Sequence, residues 1–463
     1  MLIFAHTFKP TLLEMILLQL GILLACILIG SRMKGIGLGV MGMLGLLIFI
    51  FVFHQRPGDP PLDVMLIIMA VVTTGAALQA AGGMDYLVQI AERIIRSNPA
   101  RITFYAPFTV YFLCLFAGTS HIVYSVLPVI AEVSAKKRIR PERPISISVI
   151  ASHIALTGSP MSAATAALAA LMAYPSAAGD IMKICIPACI VGVLAGALSV
   201  WKMGKELDAD DEFLEKMRDP AFAESVDATD AGLKTPLLPG AKTAFIIFAI
   251  TILLVVLFGA FPSLIPNVGK GPANLVVFAD GKLKMGTIIE VLSLSATGLI
   301  ILTTKTSATA VTKTSLFTAM GTATISVFGV VWMSATFIDN NQEVIKHLFG
   351  GIAQQYPWTF AIAIFIMGAF IFSQAGTTRT MIPLAITLGI ANPALIAMFP
   401  AVNSDFVLPG YPTLQAGVNF DRTGTTKIGK YLVNHSFLRP GVVAITVAIA
   451  TGFLLEWLLQ LHG

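Results

Sequence analysis

The chain has 463 residues, 56% hydrophobic and only 12% charged, with a mean hydropathy of +0.83; a soluble domain is about 25% charged, so the composition excludes one and is that of an integral membrane protein. The apolar runs suit helices, which need ~20 residues to cross the hydrocarbon core, rather than the ~10-residue alternating strands of a barrel. A net charge of +5, carried mainly by short loops, argues against a nucleic-acid partner and serves instead as a topology signal.

The first stretch, MLIFAHTFKPTLLEMILLQLGILLACILIG, has neither a basic leader region nor a small-residue cleavage site, so it reads as a retained first helix. Apolar segments fall at 11–30, 35–53, 62–81, 102–135, 145–173, 184–201, 243–261, 287–303, 314–337, 357–391, 394–420 and 440–461. The longest of them exceed one plain crossing. Cys26, Cys114, Cys185 and Cys189 all lie inside apolar segments without metal-ligand spacing and read as small core residues.

Charge decides which segments double back. Arg93, Arg96 and Arg101 precede segment 102–135, and Lys136, Lys137, Arg138, Arg140 and Arg143 follow it, so the positive-inside rule puts both flanks in the cytoplasm. Its two arms then meet at AGTSH, 117–121, where glycine opens the helix; non-helical backbone at that depth must be buried in protein or line a cavity. Carried along the chain, this orientation starts outside and leaves 21 Lys and Arg inside against 7 outside. Segment 357–391 becomes a second hairpin, inserted from the opposite face with SQAGTTRT at its tip. The sum is ten spanning helices and two opposed hairpins.

The two halves, 1–201 and 243–463, match in order: three helices, a re-entrant hairpin (102–135 or 357–391), a broken helix (145–173 or 394–420) and a final helix. An odd number of crossings per half turns the second copy upside down. ASHIALTGSPMS, 151–162, aligns without a gap on NSDFVLPGYPTL, 403–414, placing His153 on Asp405, Gly158 on Gly410 and Pro160 on Pro412. The tips correspond through AGT at 117 and at 375, followed by Pro128 and Pro383. The hydrophilic stretch 202–242, with ten acidic and six basic residues, reads as a cytoplasmic linker. NLVVFADGKLK, 274–284, is either a small hairpin about its Asp-Gly turn or a loop.

Interrupted helices in inverted repeats point to a transport site at the midplane, because they aim unpaired N–H groups and positive dipole ends at an anion. Four interruptions supply the candidates. The first tip offers Gly118, Thr119, Ser120 and His121, and the first break Ser159 and Pro160. The second tip offers Gln374, Gly376, Thr377, Thr378 and Arg379, and the second break Tyr411, Pro412 and Thr413. A small dianion fits these donors better than a sugar or an amine. An arginine at membrane depth costs about 2.5–3.5 kcal/mol or more, so Arg379 either binds substrate or has a buried partner such as Asp405. His153 and Asp405 are candidates for a coupling ion or proton, or else for structural pairing.

Other classes find little support. Ser152 beside His153 suggests a serine hydrolase, but adjacent helical residues point about 100° apart and do not pair. No nucleophile elbow, paired metal histidines or phosphate loop appears, and neither cofactor nor metal is expected. Hairpins closing from both sides argue against a channel's continuous pore.

Finally, AGTSHIVYSVLPVI, IRPERP, GSPMSAA, FSQAGTTRTMIPLA, LPGYPT and FDRTGTTKIGKYLVNHSF resemble the bacterial anaerobic C4-dicarboxylate transporter family, the Dcu family in its A/B branch, over nearly the whole chain. The resemblance implies an inner-membrane carrier with periplasmic termini that takes up fumarate, malate or aspartate in exchange for succinate during fumarate respiration. It further implies an elevator motion of a hairpin-bearing domain against a dimeric scaffold, as in ion transporters of that broader group, and a membrane sensor kinase as a possible partner. A cation-coupled di- or tricarboxylate symporter of the same architecture is the alternative. The family's usual start places the initiator at Met15, and a cation at position 379 is not expected in every member.

Overall fold

The computed structural model describes residues 12–459 apart from 34–35, 173, 175, 228–235, 273, 275, 372, 409–410 and 430–433. Its first half contains α1 (Leu12–Arg32), α2 (Gly37–Phe51), α3 (Leu62–Ala80), α4 (Gly83–Ser97), α5 (Ile102–Ala117), α6 (Val123–Lys136), α7 (Glu142–Ile154), α8 (Ala163–Met172) and α9 (Ala177–Val200). Two short helices follow, α10 (Asp211–Lys216) and α11 (Pro220–Asp227). The second half contains α12 (Ala241–Ala260), α13 (Met285–Thr304), α14 (Ala308–Thr312), α15 (Ser315–Gln355), α16 (Trp358–Ile371), α17 (Gln374–Thr387), α18 (Asn392–Met398), α19 (Pro412–Phe420) and α20 (Leu438–Leu459). Among the described residues five helices are long and apolar enough to cross a membrane, and α3 with α4 forms one further candidate bent by 75°.

Small residues set the tightest helix contacts, as expected where lipid removes the hydrophobic drive between helices and close van der Waals packing takes its place. Gly39, Gly42 and Gly45 line one face of α2 and receive α15, where a side chain at Gly39 or Gly42 would run into the backbone around Ile325 and Gly329. Gly192 and Gly196 of α9 receive Ala444 and Ala448 of α20 in the same way. Helix α3 packs on α13, α1 on α2, and α12 on α13.

The interruptions are built by specific caps. Helix α5 ends where Gly118 turns left-handed at φ +66°, its N–H bonded to Cys114 O at 2.9 Å. Between α7 and α8, Gly158 takes φ +92°, and the freed backbone is served by hydroxyls. Gly158 N donates to Thr165 Oγ1 at 3.0 Å, and Ser162 Oγ donates to Leu156 O at 2.6 Å. The second break is a 3₁₀ stretch, Phe399–Phe406, with Asn403 off helical geometry. Gly410, expected at that break, lies outside the described residues.

Four features depart from the sequence reading. Residues 83–97 form the amphipathic helix α4 rather than a plain charged flank; its apolar residues Met84, Leu87, Val88, Ala91 and Ile95 are buried. Helix α15 runs on for 41 residues, through the polar stretch after residue 337. Helix α17 is capped by Ser373, ahead of Gly376. Ser373 accepts the Gly376 N–H at 3.1 Å and so starts α17 one turn early, with Gly376 and Pro383 inside it. The stretch after α9 is also ordered, because Leu207, Phe213 and Val226 bury against Ala135 of α6, and Arg143 and Arg140 reach Glu206 and Asp210, each at 2.6 Å. At 274–284 the hairpin alternative holds in part, with Val277 bridged to Leu283 across a left-handed Gly281.

Candidate functional site

The two breaks meet through a buried hydrogen-bonded pair. His153, at the end of α7, and Asp405, in the 3₁₀ stretch, are 1% and 0% exposed, with Nδ1 and Oδ1 2.8 Å apart. The ring's Nε2 faces the Thr413 hydroxyl at the start of α19. If Nδ1–H donates to the carboxylate, Nε2 is left to accept from Thr413, so a single tautomer satisfies both contacts. The second carboxylate oxygen of Asp405 accepts from Gln374 Nε2, the first residue of α17, at 2.8 Å. Asp405 is therefore fully engaged by His153 and Gln374, and the alternative pairing with Arg379 is not what the structure contains.

The first tip joins the same network. Tyr411 lies edge-on to His153, ring centroids 4.8 Å apart, and the Tyr411 hydroxyl is hydrogen-bonded to Ser120. His121 is exposed and stacks on Tyr124 at 5.9 Å, while Thr119 Oγ1 accepts the His121 N–H at 3.2 Å. Ser120, His153, Gln374, Asp405, Tyr411 and Thr413 thus share one buried polar cluster.

Several expected ligands spend their polar groups locally. Ser159 donates to Leu115 O at 2.6 Å, tying the first break to the end of α5. Thr377 donates to Ser373 O at 2.9 Å and Thr378 to Gln374 O at 2.7 Å. Pro160 is buried, whereas Pro412 is exposed at the first turn of α19. Ser152 donates to Val149 O at 2.7 Å, back along its own helix and not to His153.

Arg379 stands apart. It lies five residues after Gln374, and five helical steps turn through about 140°, so the two leave α17 on different faces. Arg379 is 2% exposed, and its Nε and Nη2 have no hydrogen-bond partner among the described residues. A buried guanidinium without a counter-ion is costly, and an anion offering a planar oxygen pair satisfies it best.

Sequence reasoning missed Thr157, Asn403 and Ser404. Asn403 Nδ2 donates to Thr157 Oγ1, a second clasp between the breaks, and to Pro400 O at 2.9 Å. Asn403 Oδ1 and Ser404 Oγ are buried without hydrogen-bond partners among the described residues. The available signal was Asn-Ser-Asp at 403–405 within an otherwise apolar segment.

A bundle of apolar helices, several of them interrupted, is the fold. Two solved structures have it at low sequence identity: the Alcanivorax borkumensis YdaH transporter, with a TM-score of 0.51 at 14% identity over 96% of this chain and 98% of that one, and Neisseria gonorrhoeae MtrF, with a TM-score of 0.53 at 15% identity over 88% and 84%. The family described as anaerobic C4-dicarboxylate membrane transporter matches residues 15–460. The anaerobic C4-dicarboxylate transporter DcuB of Escherichia coli O6:H1 is 37% identical over 94% of this chain and 97% of its own. The C4-dicarboxylate transporter DcuA of Wolinella succinogenes is 39% identical over 95% and 99%. The chain belongs to the DcuA/DcuB family of anaerobic C4-dicarboxylate membrane transporters; it is a multi-pass membrane transporter and not an enzyme.

Proposed function

We propose that the protein is a secondary carrier that takes up fumarate, malate or aspartate in exchange for succinate across the bacterial inner membrane during anaerobic growth. The observation that carries this is Arg379, a buried cation with two unpartnered donor groups in a family of dicarboxylate transporters. One substrate carboxylate takes the guanidinium, and the hydroxyl-rich tip around Thr119 and Ser120 serves the other.

The architecture is two inverted repeats, 1–201 and 243–463, joined by the 202–242 segment, with α5–α6 and α16–α17 as opposed re-entrant hairpins. Pairwise packing supports it: α2 sits on α15 as α13 sits on α3, α1 on α2 as α12 on α13, and the two final helices, α9 and α20, pack on each other. The basic ends of α4, α6 and α9 face the cytoplasm, which leaves both termini periplasmic. Transport moves the hairpin-bearing part as a unit, so that the site faces each side in turn. Exchange is obligatory because an empty site would carry Arg379 across the bilayer uncompensated.

A second reading has its own observation. Asn403 Oδ1 and Ser404 Oγ, buried and unpartnered beside Asp405, are oxygen donors suited to sodium, which would make the protein a cation-coupled symporter. Uptake of labelled fumarate into proteoliposomes, preloaded with succinate or empty, with and without a sodium or proton gradient, separates the two. Uptake that requires internal succinate supports exchange; uptake into empty vesicles that follows a cation gradient overturns it.

A further inference from the structure

An apolar groove of about 450 Å³ lies between α4, α5 and α12, distinct in chemistry from the polar network. Its floor includes Leu113 and Phe248, and its rim includes Ile94, Tyr105, Phe112 and Phe116, all four rim residues being 39–46% exposed. Two of its walls, α5 and α12, are apolar enough to cross the membrane, so bilayer and not water meets the opening.

Two of the stripes that line the groove continue, one turn beyond it, in a basic residue. On α5, Tyr105, Thr109, Phe112 and Phe116 form a stripe at helical spacing, and one turn earlier it continues in Arg101. On α12, Phe245, Phe248 and Ile252 do the same, and one turn earlier stands Lys242. On α4, Ile90 and Ile94 flank Arg93. Arg93, Arg101 and Lys242 are exposed, and among the described residues none of them has an ion-pair or hydrogen-bond partner. Neighbouring Arg96, by contrast, is held by Glu92 and Glu132 at 2.8 and 2.9 Å. Gly82, at the start of α4, touches Leu238 just before α12, α5 follows the other end of α4, and α4 packs on both, so that α4 bridges the N-terminal ends of the two groove walls.

We propose that this groove binds one anionic phospholipid, its acyl chain lying along Phe112 and Phe116 and its phosphate held by Arg93, Arg101 and Lys242. Apolar length with unpaired cations at one end matches a charged headgroup on a hydrocarbon tail, since basic residues near the membrane surface each favour anionic lipid. Neither a dicarboxylate, which has no apolar tail, nor a zwitterionic lipid meets both features.

Thermal unfolding of the full chain in detergent tests this, with added phosphatidylglycerol or phosphatidylcholine of the same acyl chains, alongside native mass spectrometry to count bound phospholipid. The expected result is a larger rise in Tm with phosphatidylglycerol, with one tightly held copy per chain. The combined variant Arg93→Gln, Arg101→Gln, Lys242→Gln should lose that preference while keeping its response to phosphatidylcholine. Ala249→Trp, which fills the groove, should lose the bound copy. Equal response to the two lipids, or a preference surviving in the triple variant, overturns the proposal. So does a purified chain without bound phospholipid whose Ala249→Trp variant changes from dimer to monomer, which would give the groove to a second copy.

Discussion

His153 and Asp405 occupy equivalent positions in the aligned stretches 151–162 and 403–414, and their side chains meet at 2.8 Å with both residues fully buried. The contact bridges 252 residues of chain and fastens the first break to the second. Removing one member of such a pair leaves the other without its partner in a dry site, a loss of about 3–5 kcal/mol. His153→Ala and Asp405→Asn are each expected to lower Tm sharply in detergent. In the double variant the losses should fall short of additive by about 0.5–3 kcal/mol; additive losses would mean that the two residues act independently.

Gly118 and Gly376 look equivalent in sequence, both in AGT, but the structure separates them. Gly118 is left-handed, and a methyl group there would collide with the Met161 carbonyl. Gly376 sits inside a helix with only side chains of Ile371 and Ser373 nearby. Gly118→Ala should cost at least the ~1–2 kcal/mol of a left-handed L-residue and abolish uptake. Gly376→Ala should be mild in both respects. Equal damage from the two, in Tm and in uptake, would contradict the assigned break points.

The ordered segment after α9 gives a pH prediction. Burial pushes the Asp210 carboxyl up, but the Phe213 N–H and the Arg140 guanidinium outweigh it and hold the pKa below the usual carboxylate value. Its contribution to docking is therefore complete above the ordinary value of about 3.9 and is lost as pH falls through the lower folded value. Hydrogen exchange of the α10 amides, relative to the intrinsic rate at each pH, should stay slow at neutral pH and quicken below about pH 4. Asp210→Asn should show the faster exchange at neutral pH as well.

Part of this was legible in the sequence because apolar length reports directly on membrane helices: the helical class, several apolar helices and the interruption at Gly158 followed from it. What escaped depends on particular side chains in three dimensions. Helix α4 hid behind Arg93 and Arg96 because its apolar face is spaced around the helix instead of continuous. The start of α17 was set by the Ser373 cap and not by the glycine that drew the eye. The order after α9 rests on three apolar residues, Leu207, Phe213 and Val226, too few to register against ten acidic ones. The partner of Asp405 could not be chosen between His153 and Arg379 until the facing sides of α17 were known.

An Arg379 that waits for a substrate carboxylate must govern the protein's thermal response to succinate. Unfolding of purified wild type and Arg379→Gln would be followed with and without saturating succinate. Wild type should gain about 2.7 kcal/mol at a hundredfold excess over Kd. Arg379→Gln should lose that gain yet be at least as stable without ligand, because a buried charge without a partner has been removed. A variant that keeps the full succinate response, or one that is destabilised without ligand by several kcal/mol, would show that Arg379 is a structural cation and that the dianion binds elsewhere.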